Sequence, residues 1–149
     1  MVSAPDHSDA VSRRARTLIA LGAVLFLVGL LTGLVIPLFR NPRLGLSAHL
    51  EGVLNGLFLV ALGAIWHHVR LPESLARLAV GLLVFGTWAN WFFTALGAAF
   101  GTGRLTPIAS GGMTGQPAQE QLVALGLVAL SGAMIAGCGL LVYGLVRRT

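Results

Sequence analysis

The stretch LSAHLEGVLNGLFLVALGAIW, residues 46–66, decides the fold. It is apolar over a length that, as a helix, crosses about 30 Å of hydrocarbon. Yet its first half carries His49, Glu51 and Asn55. Ionisable side chains are costly in hydrocarbon unless they are paired or serve a purpose there. The stretch is read as a transmembrane helix that carries functional groups.

Three more apolar runs flank it, at residues 17–39, 74–100 and 121–146. The chain of 149 residues is 56% hydrophobic and 10% charged, whereas a soluble domain carries about a quarter charged residues. Residues 1–16 are polar and are expected to form a flexible cytoplasmic tail, with residues 17–149 as one membrane domain. The first apolar run is too long for a signal peptide and lacks a small-residue cleavage site after it, so cleavage is not expected. Pro42 and Pro72 mark helix boundaries, and residues 101–120, rich in Gly, Thr, Ser and Pro, form the longest loop. The expected fold class is an all-α integral membrane protein, with four transmembrane helices in an antiparallel bundle. Small-xxx-small pairs set its contacts: Gly29 with Gly33, Gly52 with Gly56, Gly97 with Gly101, Gly132 with Ala136. So small a bundle has little interior, which favours a homo-oligomer with sites between protomers.

The net charge of +5 comes entirely from arginine, without lysine. Those arginines sit at the ends of the apolar runs rather than on one face, so nucleic-acid binding is not expected. Arg13, Arg14, Arg16, Arg70, Arg77, Arg147 and Arg148 fall on one side of a four-span topology, and Arg40, Arg43 and Arg104 on the other. The positive-inside rule puts both termini in the cytoplasm and the long loop outside. An all-arginine, Gly/Ala/Leu-rich chain fits a bacterium with GC-rich DNA, hence its inner membrane. The single cysteine, Cys138, excludes an intrachain disulfide, a C-x-x-C-H haem attachment and a thiolate zinc cage; it reads as a small buried apolar residue.

Helix geometry sorts the polar residues. Glu51 and Asn55 are four apart and share a face. His49 points away from Glu51 and shares a stripe with Gly52, Val53 and Gly56, which leaves room for something flat or for a neighbouring helix. Asn55 lies about 13 Å and Asn90 about 15 Å from the outer ends of their spans, at about 1.5 Å per residue. One pocket in the outer half can therefore collect His49, Asn55, Asn90 and Thr94, with Trp88 and Trp91 nearby. The structural readings stand beside this one. Asn90 bridges helices, Thr87 and Thr94 bond back to their own helix carbonyls, Glu51 pairs with Arg40 or Arg43, His49 bridges helices, and Trp66 anchors at the interface.

The segments AHLEGVLNG, GTWANWFFTALGAAFG and RLTPIASGG resemble the hydroxylaminobenzene mutases. The order A-H-x(5)-N-G followed by W-x-N also resembles the related styrene oxide isomerases. The resemblance runs over residues 46–112. It implies a homo-trimer holding haem b between protomers, with His49 as the axial ligand of the iron and Gly52 and Trp88 beside the group. It implies further that Asn55 and Asn90 line the substrate site. The ferric iron then acts as a Lewis acid. Where the isomerases carry an acidic residue two before the Trp of W-x-N this chain has Gly86, and where they carry Tyr it has Thr94. Those departures, and Glu51 in the H-L-E-G wording, favour the mutases. The implied reaction moves the hydroxyl of an N-aryl hydroxylamine from nitrogen to the ring, giving a 2-aminophenol. Asn55, Asn90, Glu51 and Thr94 are then the catalytic set, and Trp91 and Phe92 stack on the aryl ring of a small hydrophobic substrate arriving from the lipid bilayer. The alternatives are an aryl epoxide to aldehyde isomerase, a b-type cytochrome, and a non-catalytic membrane subunit.

Overall fold

In the computed structural model, residues 7–147 are described. They form α1 (His7–Leu34), α2 (Pro42–Ile65), α3 (Glu73–Phe100), α4 (Pro107–Ser110) and α5 (Pro117–Val146), with single 3-10 turns at Ile36–Leu38 and Trp66–His68. Four of these helices are long and apolar enough to cross a membrane. The protein is a multi-pass membrane protein, all-helical over the described residues.

The boundaries shift from those expected, for local reasons. The first helix begins at His7 rather than near residue 17, because no Gly or Pro interrupts the arginine-bearing segment and Asp9 sits in the first turn, where the helix dipole favours it. It stops at Leu34, short of residue 39, because Pro37 lacks an N–H and disfavours a helical residue before it. Pro42 opens α2, and Asn41 caps it by accepting from the Leu44 N–H at 3.2 Å. Gly101, at φ 69, closes α3 in the left-handed conformation that glycine adopts freely. Within residues 101–120 the structure adds the short α4 and starts α5 at Pro117.

Helices in lipid gain nothing from hiding apolar surface from one another, so close approach through small residues holds them together. The α1–α2 seam shows this most clearly. A Cβ added at Gly29 would lie 2.5 Å from the Val53 nitrogen, and one at Gly56 2.5 Å from the Phe26 nitrogen. These backbones touch. Gly132, expected in such a contact, meets nothing within 4 Å, and Ala136 beside it is exposed.

The seams run α1–α2, α2–α3 and α3–α5, and α1 and α5 share no extended seam. The bundle is therefore open along one side. Its apolar core lies towards the arginine-rich end and includes Leu18, Leu25, Leu59, Leu62, Leu83 and Trp66. Trp66 is only 2% exposed; it is a core residue rather than an interface anchor, because the turn after α2 folds its ring inward against the ends of α1 and α3. The opposite end is tied by polar bonds. Asn41 takes the Ala98 carbonyl through its backbone N–H at 3.0 Å and the Ser110 carbonyl through its side chain at 3.2 Å. Glu120 receives the backbone N–H groups of Gly103, Arg104 and Gly115 at 2.9, 3.0 and 2.8 Å.

Candidate active site

The polar residues of α2 divide between its two seams. Towards α3, Asn55 Nδ2 donates to Glu51 Oε2 at 3.2 Å, and Asn90 Nδ2 donates to the same oxygen. Spacing explains the first bond, since Glu51 and Asn55 lie one helical turn apart. The second crosses the seam and places both amides at one level. Asn55 also lies 3.5 Å from the Thr87 carbonyl. Glu51 thus binds amides, and the alternative partner Arg40 instead donates to the Phe100 carbonyl at 3.0 Å. Thr94 is buried one turn beyond Asn90.

Towards α1, His49 Nδ1 lies 2.8 Å from the Gly29 carbonyl oxygen. That oxygen only accepts, so Nδ1 carries the hydrogen, and in the neutral ring Nε2 then holds the lone pair. Gly33 makes the fit possible: a Cβ there would come within 2.8 Å of Nδ1. The ring therefore lies against bare α1 backbone. The room beside Gly52 and Gly56 is filled by that same helix.

Trp91 joins the two seams. Its Nε1 donates to Thr32 Oγ1 at 3.0 Å, and Thr32 in turn bonds the Val28 carbonyl at 2.8 Å. A Cβ on Gly52 would meet the Trp91 ring at 3.0 Å and Gly29 Cα at 2.5 Å. Gly52 is therefore where three helices meet. Trp88 and Trp91 pack edge to face with centroids 6.3 Å apart. With Val84, Phe85, Phe92 and Phe93 they line an apolar groove of about 440 Å³. The Trp88 Nε1 is buried without an acceptor among the described residues. A buried donor without an acceptor is rare.

The structure thus brings Glu51, Asn55 and Asn90 together; Trp88 and Phe92, two residues to either side of Asn90, lie on the other face of α3, and Trp91 stands between the two faces. It places His49 on the other side of α2 rather than in one pocket with Asn55 and Asn90. Thr87 bonds back to the Leu83 carbonyl at 2.8 Å, as the helix-bonding reading expects. Gly86 faces α5, where a Cβ would lie 2.5 Å from Met134 Cγ. An acidic side chain at 86 has no space unless Met134 moves. Sequence reading missed Thr32, the seat that Gly33 gives the His49 ring, and the Gly29 carbonyl. Thr32 was legible as a hydroxyl inside the first apolar run; the backbone acceptor was not.

The residues present fit haem. Metal-bound histidines commonly donate their second ring nitrogen to a carbonyl, which fixes the tautomer and the ring. His49 has this arrangement within the chain, and its half-buried ring is flanked by the exposed Leu46 and Leu50.

Comparisons with known proteins bear on the same residues. Hydroxylaminobenzene mutase HabB of Ectopseudomonas oleovorans is 52% identical over 132 residues, covering 88% of this chain and 80% of that protein. Hydroxylaminobenzene mutase HabA of the same organism is 41% identical over 131 residues, covering 87% of this chain and 97% of that protein. No solved structure matches. The family model described as styrene oxide isomerase matches residues 14–146, a range that takes in α2, α3 and α5 whole, α1 from Arg14 onward and every residue of the candidate site, and the chain belongs to that family.

Proposed function

We propose that this membrane isomerase rearranges an N-aryl hydroxylamine to a 2-aminophenol, as the names of its two mutase relatives suggest. The observation that carries the reading is the Glu51 carboxylate held by the amides of Asn55 and Asn90 on the α2–α3 seam. In this reaction the N–O bond breaks and a C–O bond forms at the ortho carbon. That carbon loses a proton and the nitrogen gains one, with no net oxidation. A carboxylate beside the ring is suited to carry that proton. Both amide bonds fall on Oε2, which leaves Oε1 for the substrate. The aryl ring stacks on Trp91, which stands between the carboxylate–amide set and the groove of Trp88 and Phe92, where apolar walls exclude water from the developing cation. Trp88 Nε1 offers its hydrogen to an oxygen or nitrogen of a bound molecule. Thr94, one turn from Asn90, borders the amide-bearing face of α3.

His49 would hold haem b through Nε2; Gly52, closed off by Gly29 and the Trp91 ring, and Trp88, in the α3 groove, would not flank the group within this chain. Haem iron bound there supplies a Lewis acid for the substrate oxygen. The histidine and the carboxylate–amide set lie on opposite seams of α2, which suits a homo-trimer with sites shared between protomers. An antiparallel arrangement of the four spans, with both termini in the cytoplasm of a bacterial inner membrane, completes the reading.

The family match favours a second reading, the isomerisation of an aryl epoxide to an aldehyde. One experiment separates them. Protein purified in detergent from haem-replete cells is assayed with phenylhydroxylamine and with styrene oxide, and its visible spectrum is recorded beside that of His49→Ala. A Soret band lost in the variant, with turnover of the hydroxylamine, is expected. Turnover of the epoxide alone replaces the mutase reading with the isomerase one. Turnover without any Soret band removes the haem and leaves the carboxylate–amide chemistry.

A further inference from the structure

His49 belongs to α2, but its ring rests on α1. Its Nδ1 lies 2.8 Å from the Gly29 carbonyl oxygen. One helical turn further along α1, a Cβ added at Gly33 would have Nδ1, Cε1 and Cγ of the same ring as its three nearest atoms, at 2.8, 3.1 and 3.4 Å. In helix geometry the carbonyl of residue 29 points toward the N–H of residue 33. The acceptor and the bare Cα therefore lie side by side on one strip of α1, and the ring covers both. That strip is held from two sides. Gly29 packs on the backbone of Gly52 and Val53 in α2, and Thr32 Oγ1 takes the Trp91 Nε1–H of α3 at 3.0 Å.

Non-bonded heavy atoms sit comfortably from about 3.5 Å apart. A methyl at position 33 therefore lifts the ring off the strip, and Nδ1, the nearest atom, leaves the Gly29 carbonyl. The helix itself gives no reason for glycine here: its φ is not positive, and alanine is the better helix former. We propose that Gly33 is a positioning residue for His49. Its missing side chain seats the ring on α1, and the seat fixes both the tautomer and the direction in which Nε2 is presented. A carbonyl behind a metal-bound histidine also raises the basicity of that ligand, so residue 33 governs how firmly haem is held. This last role rests on the reading of His49 as the haem ligand; the seat itself does not.

The test uses the haem-loaded protein in detergent, as Gly33→Ala and, for control, as Gly81→Ala, where an added Cβ meets nothing within 4 Å. The readouts are the iron–histidine stretching frequency of the reduced protein, by resonance Raman spectroscopy, and the rate of haem loss to excess apomyoglobin. Gly33→Ala is expected to lower the frequency and to speed haem loss at least about tenfold, the lower end of what a lost partner behind a metal ligand costs. Gly81→Ala changes neither. A native frequency and rate in Gly33→Ala, or an equal change in Gly81→Ala, overturns the proposal. Thermal midpoints guard against a folding defect. The double variant Gly33→Ala/His49→Ala is expected to match His49→Ala, because the ring is the obstacle; a midpoint lowered as much without the ring as with it makes Gly33 a packing glycine and overturns the proposal. If the purified protein carries no haem, the ligand reading of His49 fails separately, and nitrogen NMR of the same protein, histidine-labelled and in alkaline buffer, decides the seat. A single Nδ1–H tautomer of His49 that is lost in Gly33→Ala supports it, and an unchanged tautomer sinks it.

Discussion

Glu51 and Glu120 are both carboxylates within long apolar helices, and the protein uses them in opposite ways. Glu120 spends both oxygens on backbone: Oε1 takes the Gly103 and Gly115 N–H groups, and Oε2 takes that of Arg104. It staples the connection between α3 and α5. Glu51 takes two side-chain amides on Oε2 alone. Backbone donors fix a chain path, whereas side-chain amides hold a carboxylate in place and leave its other oxygen for chemistry. A carboxylate with every lone pair engaged by main chain is structural. One held by replaceable side chains, with an oxygen to spare, is the arrangement that the proposed reaction needs.

The sharpest way to break this comparison is Glu51→Gln. The amide keeps an acceptor for Asn55 and Asn90 and removes the proton carrier. Turnover is expected to fall at least about 10²-fold, the usual contribution of a positioned acid–base group, with the thermal midpoint nearly unmoved. A variant that loses its midpoint and keeps its turnover would make Glu51 a second staple. The next effect is expected from Gly52→Ala. Its Cβ would lie 2.5 Å from Gly29 Cα and 3.0 Å from the Trp91 ring. Overpacking costs about 1–3 kcal/mol, and contact with backbone puts this case near about 3 kcal/mol. Loss of the folded species on size-exclusion chromatography at moderate temperature is the readout.

How far the site was legible follows from the same contrast. Pairing of Glu51 with Asn55 is a matter of helical spacing, and the depth of Asn90 placed it at the same level; both could be read from sequence. The four spans were legible because bilayer thickness sets their length. The boundaries were less so: Pro37 and the first-turn Asp9 decide α1 locally, within a run whose hydropathy continues past both. The split of His49 from the amides was half legible. Its direction away from Glu51 follows from helical geometry, but its partner is the Gly29 carbonyl, and a main-chain acceptor leaves no trace in composition. Asn41 and Glu120 were overlooked for a related reason. They sit in the turns at the ends of spans, where polar residues are expected, and only the fold shows which backbone groups reach them.

Glu120→Ala tests the structural half. It leaves three backbone N–H groups to water, and partial exposure tempers the loss to about 1–2 kcal/mol. The expected signature is faster hydrogen exchange at residues 103–115, with turnover per folded molecule unchanged. A loss of turnover as large as that of Glu51→Gln would erase the distinction between the two carboxylates.

The smallest expected effect is the most discriminating for how the seams communicate. Trp91→Phe removes the bond to Thr32 and keeps an aromatic ring against Gly52. Side-chain bonds between membrane helices are worth about 0.6 kcal/mol on average, so stability should barely change. Trp91 also touches α1, α2 and the aromatic groove together. If it only stacks on the substrate, the variant raises KM and leaves kcat. If it also holds α3, and with it Asn90, at the level of Glu51, kcat falls as well, and Thr32→Val reproduces the fall in kcat without the change in KM. Thr32 is outside the groove, so a kcat effect from that variant can reach the carboxylate only through the position of α3 against α1.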